Sequence, residues 1–182
     1  MSVARESEMG LGLARPTPGQ TVGPFFRYGV EFDAWNELVP PHSPGAVRLH
    51  GVVSDGDGVP VPDALLEIWH ADPSGAIPTE TGSLHRDGST FTGWGRTHTT
   101  DAGEYEFFTL EPDAPFIAVA VFARGLMDVL HTRVYLPGAT DAFLEGLAPA
   151  ERATLVSERT PDGLRRDIWL QGDRETVFLV YR

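Results

Sequence analysis

From position 46 onward, apolar and polar residues alternate with the period of two that a half-buried β-strand imposes. Residues 46–53 read AVRLHGVV, with Val47 and Leu49 on one face and Arg48 and His50 on the other. The pattern predicts further strands over 64–70 (ALLEIWH), 95–100 (GRTHTT), 104–110 (EYEFFTL), 116–123 (FIAVAVFA) and 129–136 (VLHTRVYL). In the last of these, Leu130, Thr132, Val134 and Leu136 oppose His131, Arg133 and Tyr135. Two final strands are predicted over 165–171 and 175–181, joined at Gly172-Asp173. Asp55-Gly56-Asp57-Gly58 and Asp101-Ala102-Gly103 supply turns that tolerate positive φ. Residues 141–157 form the single helical region, with Pro149 suited to a first helical turn. Strands recurring every ~10 residues with turns between them predict an all-β sandwich rather than a parallel α/β sheet.

The first 45 residues break this pattern. Pro16, Pro18, Pro24, Pro40, Pro41 and Pro44 fall there with little periodicity, which predicts an irregular N-terminal arm with a turn of helix near Trp35. The expected organisation is an arm over 1–45 and a sandwich domain over 46–182. No internal repeat or second linker interrupts it.

Composition narrows the function. The chain has 182 residues, is 41% hydrophobic and carries a net charge of −12. That charge, with no cluster of Lys or Arg, argues against nucleic acid and anionic membrane as partners. The absence of cysteine removes disulfides, zinc thiolate sites and iron–sulfur clusters, and fits a reducing cytoplasm. Residues 1–15 lack the apolar run of a secretory signal, and no stretch is long and apolar enough to span a bilayer, so a soluble, cytoplasmic protein is expected.

The catalytic inventory is thin. His42, His50, His70, His85, His98 and His131 are scattered with no His-x-His pair, the simplest metal site that one face of a strand can present. There is no Gly-x-Ser-x-Gly elbow or cysteine nucleophile, and Gly10-Leu11-Gly12 is followed by no P-loop lysine. Glu67, Glu104 and Glu106 fall on predicted strands, where a solvated face is the expected setting. Residue chemistry by itself describes a sandwich with no self-contained catalytic centre.

Four segments taken in order carry a resemblance. They are Thr17-Pro18-Gly19-Gln20-Thr21-Val22-Gly23-Pro24-Phe25-Phe26; VPVPDALLEIWHADPSG over 59–75; Gly95-Arg96-Thr97 followed by Thr100-Asp101-x-Gly103-x-Tyr105-x-Phe107; and RRDIWLQGDRETVFLVYR over 165–182. Together they resemble the intradiol ring-cleaving dioxygenases. The resemblance implies a prealbumin-like β-sandwich with an irregular N-terminal arm and one short helical excursion. It also implies Fe(III) chemistry, since the family holds ferric iron with two tyrosines and two histidines, hard phenolate ligands beside neutral imidazoles.

Those ligands find no counterparts here. The first tyrosine place falls on Ile77, and the loop of the second is reduced to Glu111-Pro112-Asp113-Ala114-Pro115. The histidine places fall on Phe116 and Ala118, in a strand that has no histidine. The resemblance is to the non-iron chain of a two-chain member of the family, whose homologous beta chain holds the Fe(III). It implies protocatechuate and O2 as substrates, 3-carboxy-cis,cis-muconate as product, and several alpha–beta pairs in one particle.

Thr21, Gly23, Pro24 and Arg133 are the substrate-wall residues that the resemblance implies, with no catalytic or metal residue in this chain. Gly23-Pro24 is a stiff, close-approaching backbone, and Arg133 is a permanent cation able to favour a benzoate. The plainer readings are an N-terminal turn for the pair and a surface ion pair for Arg133. Two rival functions remain open. One is a prealbumin-like binding or structural module without oxygen chemistry, which leaves the arm and the C-terminus unexplained. The other is a self-sufficient dioxygenase with relocated ligands, which would be coloured and iron-loaded when purified alone.

Overall fold

The alternation described above closes into two packed sheets. The computed structural model describes residues 19–79 and 86–181, so Thr17 and Pro18 of the arm motif, Gly10-Leu11-Gly12, His85 and Arg182 lie outside the described residues. A short helix, α1 (Phe26–Val30), precedes the strands β1 (Ala46–Ser54), β2 (Leu65–Trp69), β3 (Trp94–His98), β4 (Glu104–Leu110), β5 (Phe116–Phe122) and β6 (Leu130–Tyr135). Helices α2 (Ala142–Gly146) and α3 (Pro149–Ala153) follow, then β7 (Glu158–Thr160), β8 (Gly163–Arg165) and β9 (Ile168–Trp169). One sheet runs β4-β1-β8-β7, with β9 also beside β1, and the other runs β3-β2-β5-β6.

Side chains of opposite parity from each strand fill the space between the sheets. Leu49, Val53, Phe107 and Leu164 meet Leu66, Ile68, Ile117, Val119, Val121 and Val134 in one buried cluster. Truncating a fully buried ring such as Phe107 in a core of this kind costs about 3–5 kcal/mol. A smaller cluster of Tyr135, Leu144 and Leu155 packs α2 and the segment after α3 against the end of β6.

Four expectations are corrected. The helical region over 141–157 is two short helices, because Ala148 precedes Pro149 and is held extended at ψ 152°, the conformation that proline imposes on its predecessor. The turn of helix placed near Trp35 is absent, and the helix of the arm is α1 instead. Residues 175–181 make no strand. The backbone of Val177 goes to side chains, Thr154 Oγ1 accepting from its N–H and Thr132 Oγ1 donating to its carbonyl. The segment's one backbone bridge to β6 is that of Leu179 to His131.

The strand foreseen over 165–171 is likewise divided, and β8 and β9 run parallel to β1. The tight return from β7 into β8 depends on Gly163, whose φ of +131° suits glycine and whose Cβ position is occupied by the carbonyl of Arg48.

One polar contact joins the sheets inside the core. His70, 2% exposed, donates from Nδ1 to the Ala71 carbonyl at 2.7 Å. Its Nε2 therefore accepts from Thr109 Oγ1, also at 2.7 Å. Burial pushes this imidazole below its ordinary pKa, and desolvation does the same to His50 and His98. The neutral form is favoured in the fold, whereas the unfolded chain takes a proton near pH 6.5. Stability is thus complete above about pH 6.5 and declines as pH falls below it. The urea midpoint should drop between pH 7.5 and pH 5.5, and His70→Gln should show a visibly smaller drop than the parent chain.

Candidate functional site

The outward face of the β3-β2-β5-β6 sheet is where the chemistry-bearing residues gather. Across this face Trp94 opposes Trp69, Arg96 opposes Glu67, and Ala118 and Ala120 lie between Trp69 or Glu67 on one side and Arg133 or His131 on the other. The two alanines leave a shallow floor. Trp69, Trp94, Phe116, Leu179 and Tyr181 form the walls of a cleft of about 400 Å³ that also reaches Glu67, His131 and Arg133.

Arg133 is already engaged. Its Nη1 donates to Tyr135 Oη at 3.1 Å and to Asp141 Oδ2 at 3.4 Å. Its guanidinium lies 4.2 Å from the centroid of Phe116 and 4.9 Å from that of Phe143. Asp141 also accepts from Tyr135 Oη at 3.0 Å and caps α2 by accepting from Leu144 N at 2.8 Å. Burial is the largest influence on the Tyr135 phenol and raises its pKa, which keeps it a neutral donor. A paired cation and anion have a field that falls off faster than that of a lone charge, so the electrostatic reach of Arg133 is short.

The arm occupies the other end of the same face. Thr21 Oγ1 accepts from Gly125 N at 2.8 Å and donates to the Ala123 carbonyl at 3.4 Å. Phe26 packs on Phe122 at 6.4 Å. Gly23 O accepts from Phe26 N at 3.1 Å, turning the chain into α1. A side chain at Gly23 would meet nothing within 4 Å, and Phe25 is 78% exposed. Arg133 faces Ala118 while Thr21 is tied to Ala123, so roughly 16 Å of strand separates them. Within one copy of the chain, the structure does not bring Thr21, Gly23 and Pro24 together with Arg133.

The resemblance placed iron ligands at Phe116, Ala118 and Ile77. Phe116 and Ala118 do share the cleft face, two residues apart on β5, and Ile77 is exposed. None of the three side chains has an oxygen or nitrogen to offer. Among the described residues no group of three His, Cys, Asp or Glu is arranged to hold a metal ion. The side chains at those places therefore do not fit a ferric site, and no step of chemistry is routed through one there.

Glu67 is the residue that the alternation misjudged. It was assigned to a solvated face, yet its side chain is 23% exposed and paired with Arg96. The cross-strand register opposite an arginine was the available signal, and it required knowing that β2 and β3 are neighbours.

This is a two-sheet sandwich with an aromatic cleft on the outward face of one sheet. The family model described as Dioxygenase matches residues 23–159. Over 95% of its length the chain is 36% identical to the protocatechuate 3,4-dioxygenase alpha chain of Pseudomonas putida, all of which is covered. It is 29% identical to the corresponding beta chain of Burkholderia cepacia, over 69% of this chain and 64% of that one. Among solved structures, the dioxygenase domain of a carbohydrate-binding fusion from Streptomyces sp. SirexAA-E superposes with a TM-score of 0.56 at 27% identity, covering 86% of this chain and 99% of that one. The chain belongs to the intradiol ring-cleavage dioxygenase family.

The site generates one stability test. Asp141→Ala removes a helix cap, a phenol's acceptor and the counter-charge of Arg133 together, and should cost about 1–3 kcal/mol. Asp141→Asn keeps an oxygen for Leu144 N and should cost less. Urea denaturation of the two variants checks the ranking.

Proposed function

We propose that this chain is the alpha subunit of a protocatechuate 3,4-dioxygenase, an enzyme subunit that holds no iron and builds part of the wall around the iron site of a homologous beta subunit. The single observation that supports this most is the pairing of full-length likeness to an alpha chain with apolar side chains at the family's ligand places. In this reading the beta subunit supplies Fe(III), which activates the bound catechol toward O2. Protocatechuate is cleaved between its two hydroxylated carbons to 3-carboxy-cis,cis-muconate.

The work of this chain is positional. Residues 1–45 act as an arm and residues 46–182 as the supporting sandwich. Thr21 ties the tip to the sandwich, and Gly23-Pro24 presents a rigid edge with no bulk at the glycine against which an aromatic ring can lie. The exposed rings of Phe25 and Tyr28 continue that edge as an apolar surface. Arg133 favours the substrate carboxylate at close quarters. The assembly is cytoplasmic and contains several alpha–beta pairs.

Co-expression with a homologous chain carrying the tyrosine and histidine ligands is the direct test. Iron content and protocatechuate-dependent oxygen uptake should be low for the alpha chain alone and appear only with both chains. Stoichiometric iron in the isolated, folded alpha chain would overturn the reading. In the assembled enzyme, Gly23→Val should raise KM for protocatechuate about tenfold or more through steric exclusion. Its thermal midpoint as an isolated chain should stay within about 2 °C of the parent, because the position is open to solvent.

A further inference from the structure

The part of the arm that carries α1 is fastened to its own sandwich on both sides. At the tip, Thr21 holds the turn after β5. At the base, Arg96 Nη1 donates to the carbonyl of Val30 at 3.2 Å, the last residue of α1. The backbone N–H of Arg96 donates to Trp35 O at 2.9 Å. The same guanidinium is gripped from the sheet side by Glu67, whose Oε1 accepts from Nε at 2.8 Å and from Nη2 at 2.5 Å. It lies 5.1 Å from the Trp94 centroid, and Phe32 of the arm stacks on Trp94 at 6.0 Å with an interplanar angle of 9°.

We infer that Arg96 and Glu67 are positioning residues for the partner's active site: together they clamp the base of the arm and so fix where Gly23-Pro24 projects. The inference rests on the wall-forming role of the arm proposed above. Residues 22–29 lie between the two fastenings, where Phe26 packs on Phe122 and the positions of Gly23 and Gly29 are open. Their placement is therefore set by the attachment points at either end together with the single ring contact of Phe26. Arg96 and Glu67 are only 18% and 23% exposed in their side chains, so the pair is poorly screened and holds its geometry. Replacing one member leaves the other without its counter-charge in a half-buried setting, which loosens the clamp without emptying the core. Glu67 also lines the cleft, which ties the arm's base to the floor of that face.

The absence of cysteine allows a single nitroxide to be placed unambiguously. Gly29→Cys, at a position with open space for a side chain, reports the motion of α1. In the labelled full chain, Arg96→Gln and Glu67→Gln should each make the label tumble about threefold faster, while far-UV circular dichroism is unchanged. In the enzyme assembled with its partner, both substitutions, without the label, should raise KM for protocatechuate at least about fivefold. Both kcat and iron content should stay within about twofold. Arg96→Lys, which keeps the charge but not the fork, should recover only part of the KM.

Unchanged label motion would overturn the clamp. So would an unchanged KM in these variants when Gly23→Val does raise KM, and that result would leave the wall role of the arm standing. An unchanged KM in Gly23→Val as well would remove the wall role itself, and the clamp's function with it. If Arg96→Gln fails to assemble, Glu67→Gln, nearly equal in size, decides by the same readings.

Discussion

The strict two-residue alternation of β5 is the constraint on which the rest of the molecule depends. Ile117, Val119 and Val121 point into the core, so Phe116, Ala118 and Ala120 must point out of it. The same strand that seals the sandwich on one side thereby becomes the floor of the cleft on the other. Its neighbours inherit the arrangement through register: Ala118 faces Trp69 and Arg133, and Ala120 faces Glu67 and His131. A slip of one residue would bury the cleft face and expose the core. The site is therefore as well determined as the hydrophobic core itself.

A second theme is the use of guanidinium groups on aromatic rings outside the core. The chain is strongly acidic overall, with a net charge of −12, yet Arg86, Arg96 and Arg133 lie over Phe32, Trp94, Phe116 and Phe143 in and around the outward face of one sheet. Each planar cation covers an aromatic surface that would otherwise meet water, while its N–H groups reach carbonyls or a carboxylate. Arg86 donates to Trp35 O and Trp94 O in this way. The contacts of Arg86 and Arg96 fasten an irregular segment whose sheet pairing is limited to the bridge of Glu37 to Phe108. An arm with little regular structure can thus be held in a definite place, which a surface-building subunit requires.

Much of this was legible from the residues. The strands from β1 to β6 lie where alternation put them, because a half-buried strand writes its period directly into the sequence. The turns at Asp55-Gly56-Asp57-Gly58 and Asp101-Ala102-Gly103 form as their residue types demand, Gly58 N reaching Asp55 O at 3.2 Å and Gly103 N reaching Thr100 O at 2.8 Å. The C-terminal third was less legible. Residues 175–181 alternate like a strand, but Val177 at their centre is paired with the side chains of Thr132 and Thr154, and no local pattern announces a distant hydroxyl. The break between α2 and α3 was readable from Ala148-Pro149, and the regular spacing of apolar residues on either side concealed it.

Sequence alone determined the sandwich and the identity of its core strands. Those follow from period, turn chemistry and residue type, all of which are local. Tertiary structure decided which polar residues meet. It set Glu67 against Arg96 across adjacent strands, closed Tyr135, Asp141 and Arg133 into one network, and kept Gly23-Pro24 well apart from Arg133 along β5. Strand adjacency depends on how distant segments share one core, and that is a property of the whole chain, beyond the reach of any window along it.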